Sequence, residues 1–282
     1  MIRIYPLIFI LLWSSAFITT KPIVDNSDPF AALAFRFFFV ALGFFLFSFY
    51  LNQSLITNKR KIAESILSGV LFHGFYLGGV FYSISIGMPV GIAALIVTLQ
   101  PVLTNILSGP ILDEKITTQQ WIGVLLGFTG ASLVLGLDIG SGIPLLGLIA
   151  TIIALLSITI STIWQKKISK NLPLSVSNFY QAFGGCLFHV LIVTFFAEPY
   201  INFNKVFIIA MSHQVLLVSF GAFTILMILI KKNSASKTVS IFFLIPSTSA
   251  LMAWFFLNEK LTNLDIVGFI VTSVGVYIAT RE

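Results

Sequence analysis

The residues able to do chemistry in this chain are few, and they sit where polar groups are costly. Arg36 lies inside the apolar stretch PFAALAFRFFFVALGF, about two helical turns from its start. A guanidinium there can hold a carboxylate or phosphate through paired hydrogen bonds. Alternatively it reaches the surface on its aliphatic stem, or pairs with Asp28. His73 falls midway along another apolar stretch, in the row Gly69, His73, Tyr76, Val80 and Ser83. Steps of four and three put His73, Tyr76 and Ser83 on one helix face. An imidazole in that place either carries protons near physiological pH or donates one hydrogen bond to a neighbouring helix. A similar row, Ala93, Val97, Gln100, Thr104 and Ser108, has Pro101 beside its amide. Proline lacks the backbone N–H, so a carbonyl one turn earlier is freed.

Further candidates follow from the same reasoning. Trp13 and Ser14 sit deep in the first apolar run, as cavity wall or as core packing. Ser157 and Ser161, one turn apart, can bond across helices or to a ligand. Tyr180 and Gln181 open a later run as groups of an inner gate. His189 has wholly apolar surroundings, and His213 falls toward the outer interface. Every Asp and Glu lies in a loop or at the end of an apolar run, so no carboxylate pair is set up for intramembrane catalysis; no catalytic residue is expected. The single cysteine, Cys186, excludes an internal disulfide and a cysteine-based metal site. No metal or other cofactor is expected, and no GxxxxGK[ST] loop occurs for a nucleotide.

Such groups need apolar helices to hold them. Hydrophobic residues make up 57% of the chain and charged residues 9%, against about 25% charged in a soluble domain, and the mean hydropathy is +1.02. A spanning helix needs about 20 mostly apolar residues. Runs of that kind occur at about 4–20, 30–50, 64–86, 89–111 and 118–137, then at 143–167, 175–197, 207–230, 234–257 and 262–280. The expected fold is an all-α membrane protein of ten transmembrane helices.

The two series repeat one another. LDEKITTQQWIGVLLGFTGASLVL at 112–135 recurs as LNEKLTNLDIVGFIVTSVGVYIAT at 257–280, with Glu114 and Glu259, Thr117 and Thr262, Gly123 and Gly268, and Gly130 and Gly275 all 145 apart. Pro101 and Pro246 keep the same offset, and so do Arg36 and Gln181. Two kinked helices at equivalent positions are a pointer to a transporter site. A cleaved signal peptide is disfavoured, because the first run has its counterpart at 152–165. Five spans per repeat is odd, so the second repeat (143–282) enters the membrane inverted relative to the first (1–137). With both termini in the cytoplasm, only Lys21, Arg36, Lys205 and Lys260 of the sixteen Lys and Arg fall on the outer half, as positive-inside loops require. The net charge of +6 is therefore an inner rim rather than a nucleic-acid footprint. Thr117 with Gln120 reads as a capping box, and Thr262 with Asp265 puts an acid in a first turn. Gly123, Gly127 and Gly130 suit close helix packing.

The chain resembles the drug/metabolite transporter superfamily in its EamA-type ten-helix members. The resemblance rests on WSSAF at 13–17, DPF at 28–30, AFRF at 34–37, HGFYLGGVFYSISIGMPVGIAALIVTLQP at 73–101 and the two E-K-x-T…G phrases, and it spans the whole chain. It implies two inverted five-helix repeats around a central cavity, lined by the first four helices of each, in the bacterial cytoplasmic membrane. It also implies transport of small metabolites by alternating access, with export favoured. The expected substrate is a small, amino-acid-like organic molecule; an importer or a non-transporting, lipid-interacting scaffold is the alternative. Proton coupling and a homodimer formed through the small residues of the outer helices are further expectations.

Overall fold

The computed structural model describes residues 4–56, 58–135, 143–196, 198–257 and 262–281. The regular elements among them are helices: α1 Tyr5–Val24, α2 Pro29–Tyr50, α3 Lys59–Ser85, α4 Ile92–Leu112, α5 Thr118–Leu135, α6 Leu145–Ile168, α7 Leu174–Phe196, α8 Lys205–Lys232, α9 Ala235–Met252 and α10 Asn263–Thr280. One isolated bridge, Ser27 to Ile201, ties the α1–α2 loop to the α7–α8 loop. Nine helices among the described residues are long and apolar enough to cross a membrane. The helix not among them is α5, which opens on the polar run Thr118, Gln119, Gln120.

Local chemistry sets the ends. The Asp28 carboxylate accepts the Ala31 N–H at 2.7 Å, ahead of Pro29 at the first helical position. Asn58, Asn204 and Ser234 cap α3, α8 and α9 in the same way, and each cap satisfies a donor that the helix itself cannot. The Asn58 cap starts α3 five residues before the apolar run alone indicates. The two threonines of the repeated phrase both form reciprocal capping boxes. Thr117 N–H donates to Gln120 Oε1 at 2.9 Å and Gln120 N–H to Thr117 Oγ1 at 3.2 Å. Thr262 and Asp265 do the same at 2.6 and 3.2 Å.

The glycines of that phrase bring α5 and α10 together. A Cβ on Gly275 would lie 2.8 Å from the Gly123 carbonyl oxygen, and one on Gly130 would lie 2.7 Å from the Gly268 carbonyl oxygen. These small residues meet within one chain, where the backbones of α5 and α10 touch. Glu114 has a role that the repeat did not reveal. Its carboxylate accepts the N–H groups of Ala235 (2.8 Å) and Ser236 (3.3 Å) at the start of α9. Lys166, near the end of α6, donates to the carbonyls of Ile230 (3.0 Å) and Asn233 (2.6 Å) at the end of α8. Together they clamp the α8–α9 corner. Glu259 and Lys260 lie outside the described residues.

Regular α-helix gives way at matched places. A π-helical stretch occupies Val70–Tyr76 of α3, and another occupies Gln214–Ala222 of α8. The segment Val90–Val97 ends in a turn at Thr98 and Leu99, and helix resumes at Gln100 with Pro101 in its first turn. In α9 a 3-10 turn, Ile241–Phe243, precedes Pro246. Each pair respects the 145 offset to within a residue or two.

Gly275→Leu is expected to drive α5 and α10 apart and lower the melting temperature in detergent, at a cost of about 1–3 kcal/mol or more. Gly109→Ala is the control, because its Cβ would meet only the Glu114 carbonyl oxygen, at 3.8 Å. Equal stability of the two variants would contradict the backbone contact.

Candidate functional site

The two π-helical stretches face each other across a cavity and supply much of its lining. From α3 come Phe72, His73 and Tyr76; from α8 come Gln214, Val218, Ser219 and Phe223; α1 adds Trp13 and Thr20, and α2 adds Arg36. A π turn widens the helix by one residue and redirects the side chains that follow, and such turns recur at functional sites. The free volume is about 40 Å³, room for water.

Arg36 is 4% exposed, and its Nε donates to Ser219 Oγ at 2.9 Å. Its guanidinium carbon lies 5.3 Å from the centre of the Phe37 ring. Asp28 caps α2 and does not reach it. The ion pairs among the described residues are Lys21 with Asp25 and Arg60 with Glu64, so no carboxylate there balances Arg36. Its terminal nitrogens have no protein acceptor among the described residues and are left to the cavity.

His73 is boxed by aromatic rings, with the Phe37 centroid at 4.4 Å and that of Phe223 at 4.6 Å, and its Nδ1 has no partner. Its carbonyl accepts a hydrogen bond from His189 Nε2 at 2.9 Å. A π turn leaves carbonyls without the usual helical partner, and the fully buried His189 supplies one. Trp13 packs at once on core rings and on the wall, with Phe9 at 5.2 Å and Phe72 at 6.1 Å. Tyr76 continues that wall, 5.4 Å from Phe72.

Of the residues singled out in the sequence, the cavity thus brings together Trp13, Arg36, His73 and Tyr76. Ser161 and Gln181 belong to a second buried cluster, on α3, α6 and α7. There Gln181 Oε1 accepts from Gln165 Nε2 at 3.1 Å, while Ser161 Oγ donates to the Ser68 carbonyl at 3.1 Å. Gln181 and Arg36, equivalent by offset, therefore sit in separate networks. Ser14 Oγ donates to the Ile245 carbonyl at 3.3 Å, and Gln100 Nε2 to Thr162 Oγ1 at 3.0 Å; both tie helices together away from the cavity. Tyr180 donates to the Leu55 carbonyl at 2.7 Å and holds the loop after α2. Neither Pro101 nor Pro246 lines the cavity, although both are buried.

Two residues not singled out in the sequence matter here, together with His189, whose expected wholly apolar surroundings include the His73 carbonyl. Ser219 orients Arg36. Gln214 Nε2 binds the Ala16 carbonyl and Thr19 Oγ1, each at 3.0 Å. His189 holds the π turn. The first two have Gly74 and Gly69 as offset partners, so the matched-polarity signal that picked out Arg36 and Gln181 was silent for them.

Comparison with known proteins gives a consistent result. The family model described as "EamA-like transporter family" matches twice, over residues 3–136 and 145–281. An uncharacterised transporter of Bacillus subtilis, YvbV, is 28% identical over 76% of this chain and 69% of its own length. A probable amino-acid metabolite efflux pump of Escherichia coli is 21% identical over 96% of this chain and 92% of its own. A solved crystal structure superposes with a TM-score of 0.82 at 17% identity, covering 99% of this chain and 97% of the other; it shares the fold.

Ser219→Ala removes the acceptor of a buried guanidinium N–H. A loss of about 1–3 kcal/mol in stability is expected, read as a lower melting temperature in detergent, with Ser219→Thr close to wild type. An unchanged Ser219→Ala protein would show that Arg36 Nε is satisfied by something else.

Proposed function

Because the chain belongs to the EamA-like transporter family, we propose that it is a secondary transporter that carries a small, amino-acid-like organic metabolite across the bacterial cytoplasmic membrane by alternating access. The observation that carries this reading is a buried, unpaired guanidinium on an aromatic-walled cavity between helices suited to span a bilayer. A cation is expensive in hydrocarbon and marks substrate pathways. The carboxylate of the metabolite is its counter-charge, and Trp13, Phe72, Tyr76 and Phe223 take the apolar body.

Ten spans in two inverted repeats fit the double family match, the offset of 145 and the matched π turns. With both termini cytoplasmic, as the Lys and Arg distribution favours, the cavity extends from Arg36 toward the outer face past Thr20 and Phe81. The Lys166–Glu114 clamp then closes the inner face, and this arrangement is the outward-facing member of the cycle. Export is the favoured direction, in keeping with the efflux pumps among the relatives.

The test is uptake by liposomes that contain the purified protein and are preloaded with unlabelled metabolite mixtures, screened with the same mixtures in labelled form, for wild type and Arg36→Gln. The glutamine copies the offset partner Gln181. Loss of charge-assisted hydrogen bonds worth about 1.5–3 kcal/mol corresponds to an apparent affinity about 10- to 100-fold weaker, with folding preserved. Wild-type uptake no faster than in protein-free liposomes would sink the transporter reading. A fully active Arg36→Gln protein would remove Arg36 from the binding site.

A further inference from the structure

The charge inventory of the cavity distinguishes between molecules of one skeleton. Among the described residues Arg36 is the one ionised side chain on the lining, and a guanidinium stays protonated at physiological pH. The described carboxylates lie elsewhere. Glu114 clamps the α8–α9 corner, Glu64 pairs with Arg60, Asp25 pairs with Lys21, Asp28 and Asp265 cap helices, Asp113 ends α4 and Glu198 lies in the loop after α7. The Ser219 oxygen takes up Nε and leaves the terminal nitrogens as a free fork, the geometry that grips a carboxylate with two parallel hydrogen bonds.

Resting on the transporter reading above, we infer that the carried species is an organic monoanion with an apolar body, and that the carrier works by exchanging one such anion for another instead of returning empty. A monoanion on Arg36 makes the occluded site neutral. A zwitterionic amino acid leaves it at plus one and brings an ammonium group for which the lining offers no carboxylate. The empty carrier has the same difficulty, because closing the cavity strips water from an unbalanced cation. Burying a bare arginine in hydrocarbon is unfavourable enough on insertion scales to slow the empty return about 100-fold relative to the loaded one. Reorientation is then fast only with an anion aboard, whichever way the carrier turns.

Three probes share a phenyl body and differ in charge: 3-phenylpropionate (anion), phenylalanine (zwitterion) and phenethylamine (cation). Liposomes containing wild-type protein are preloaded with one probe, with chloride salt alone, or with neutral buffer, and influx of labelled 3-phenylpropionate is followed. Internal 3-phenylpropionate is expected to accelerate influx about 100-fold, and the other interiors are not. Arg36→Gln should abolish the acceleration. A second measurement needs no variant: exchange of anion for anion is expected to be indifferent to a potassium diffusion potential, because the loaded carrier is neutral. Equal acceleration by phenylalanine or by chloride, labelled phenylalanine entering faster than the anion, or a rate that follows the potential would each overturn the inference. If the metabolite mixtures of the preceding test enter while 3-phenylpropionate does not, this inference falls and the transporter reading stands.

Discussion

A helix surrounded by hydrocarbon must satisfy its own backbone, because no water is present to do so. This constraint gives weight to the few places where the α-helical ladder of the chain departs from regularity. They are the π-helical stretches Val70–Tyr76 and Gln214–Ala222 and the breaks before Pro101 and Pro246. Each departure releases backbone groups that need other partners. In α3 the partner is a side chain from another helix, His189 on the His73 carbonyl. Its position depends in turn on close contact between α3 and α7. A Cβ on Gly185 would lie 2.5 Å from the His73 Cβ, and one on Gly184 would lie 2.5 Å from the Ile66 carbonyl oxygen. The cavity therefore follows from backbone geometry first and from its polar residues second.

Arg36 shows how side chains then differentiate two similar backbones. Its offset partner Gln181 is buried to a similar degree, yet both ends of its amide are met, by Gln165 and Ser68 at the oxygen and by Ser177 at the nitrogen. An amide both donates and accepts, so neighbouring hydroxyls and amides can close its hydrogen bonds. A guanidinium only donates. One serine at Nε leaves the rest of its donors unsatisfied within the protein. One residue type at positions of equal offset thus separates a closed amide network from a cation left facing a cavity.

The elements were legible because span length and apolarity are properties of short windows, and the helix bounds differ from the expected ones by a few residues. Pro22, inside the last turn of α1, and the Asn58 cap of α3 account for most of that difference. The α5–α10 contact was legible as small residues but not as a pairing, since GxxxG names a surface without naming what lies against it. Ser219, Gln214 and Glu114 were not legible at all. Their partners lie 183, 198 and 121 residues away, and the repeat offset points to glycine at the first two.

The two lysines 145 apart, Lys21 and Lys166, show why equivalent sequence need not give equivalent contacts. Each stands near the end of its helix, α1 or α6. Lys166 binds the carbonyls of its corner. Lys21 pairs with Asp25, one turn further on. The offset counterpart of Asp25 is Lys170, which cannot accept a hydrogen bond from Lys166 and repels its charge. With no acid at i+4, Lys166 reaches instead for the carbonyl end of α8, where the helix dipole favours a cation. Glu114 meanwhile takes the N–H end of α9 across the same corner. A single acid-to-base difference thus determines that the α8–α9 corner is clamped from both polarities, while the lysine at the matching place in the first half is held by its own helix. The difference between the two lysines is thus set outside the cavity itself.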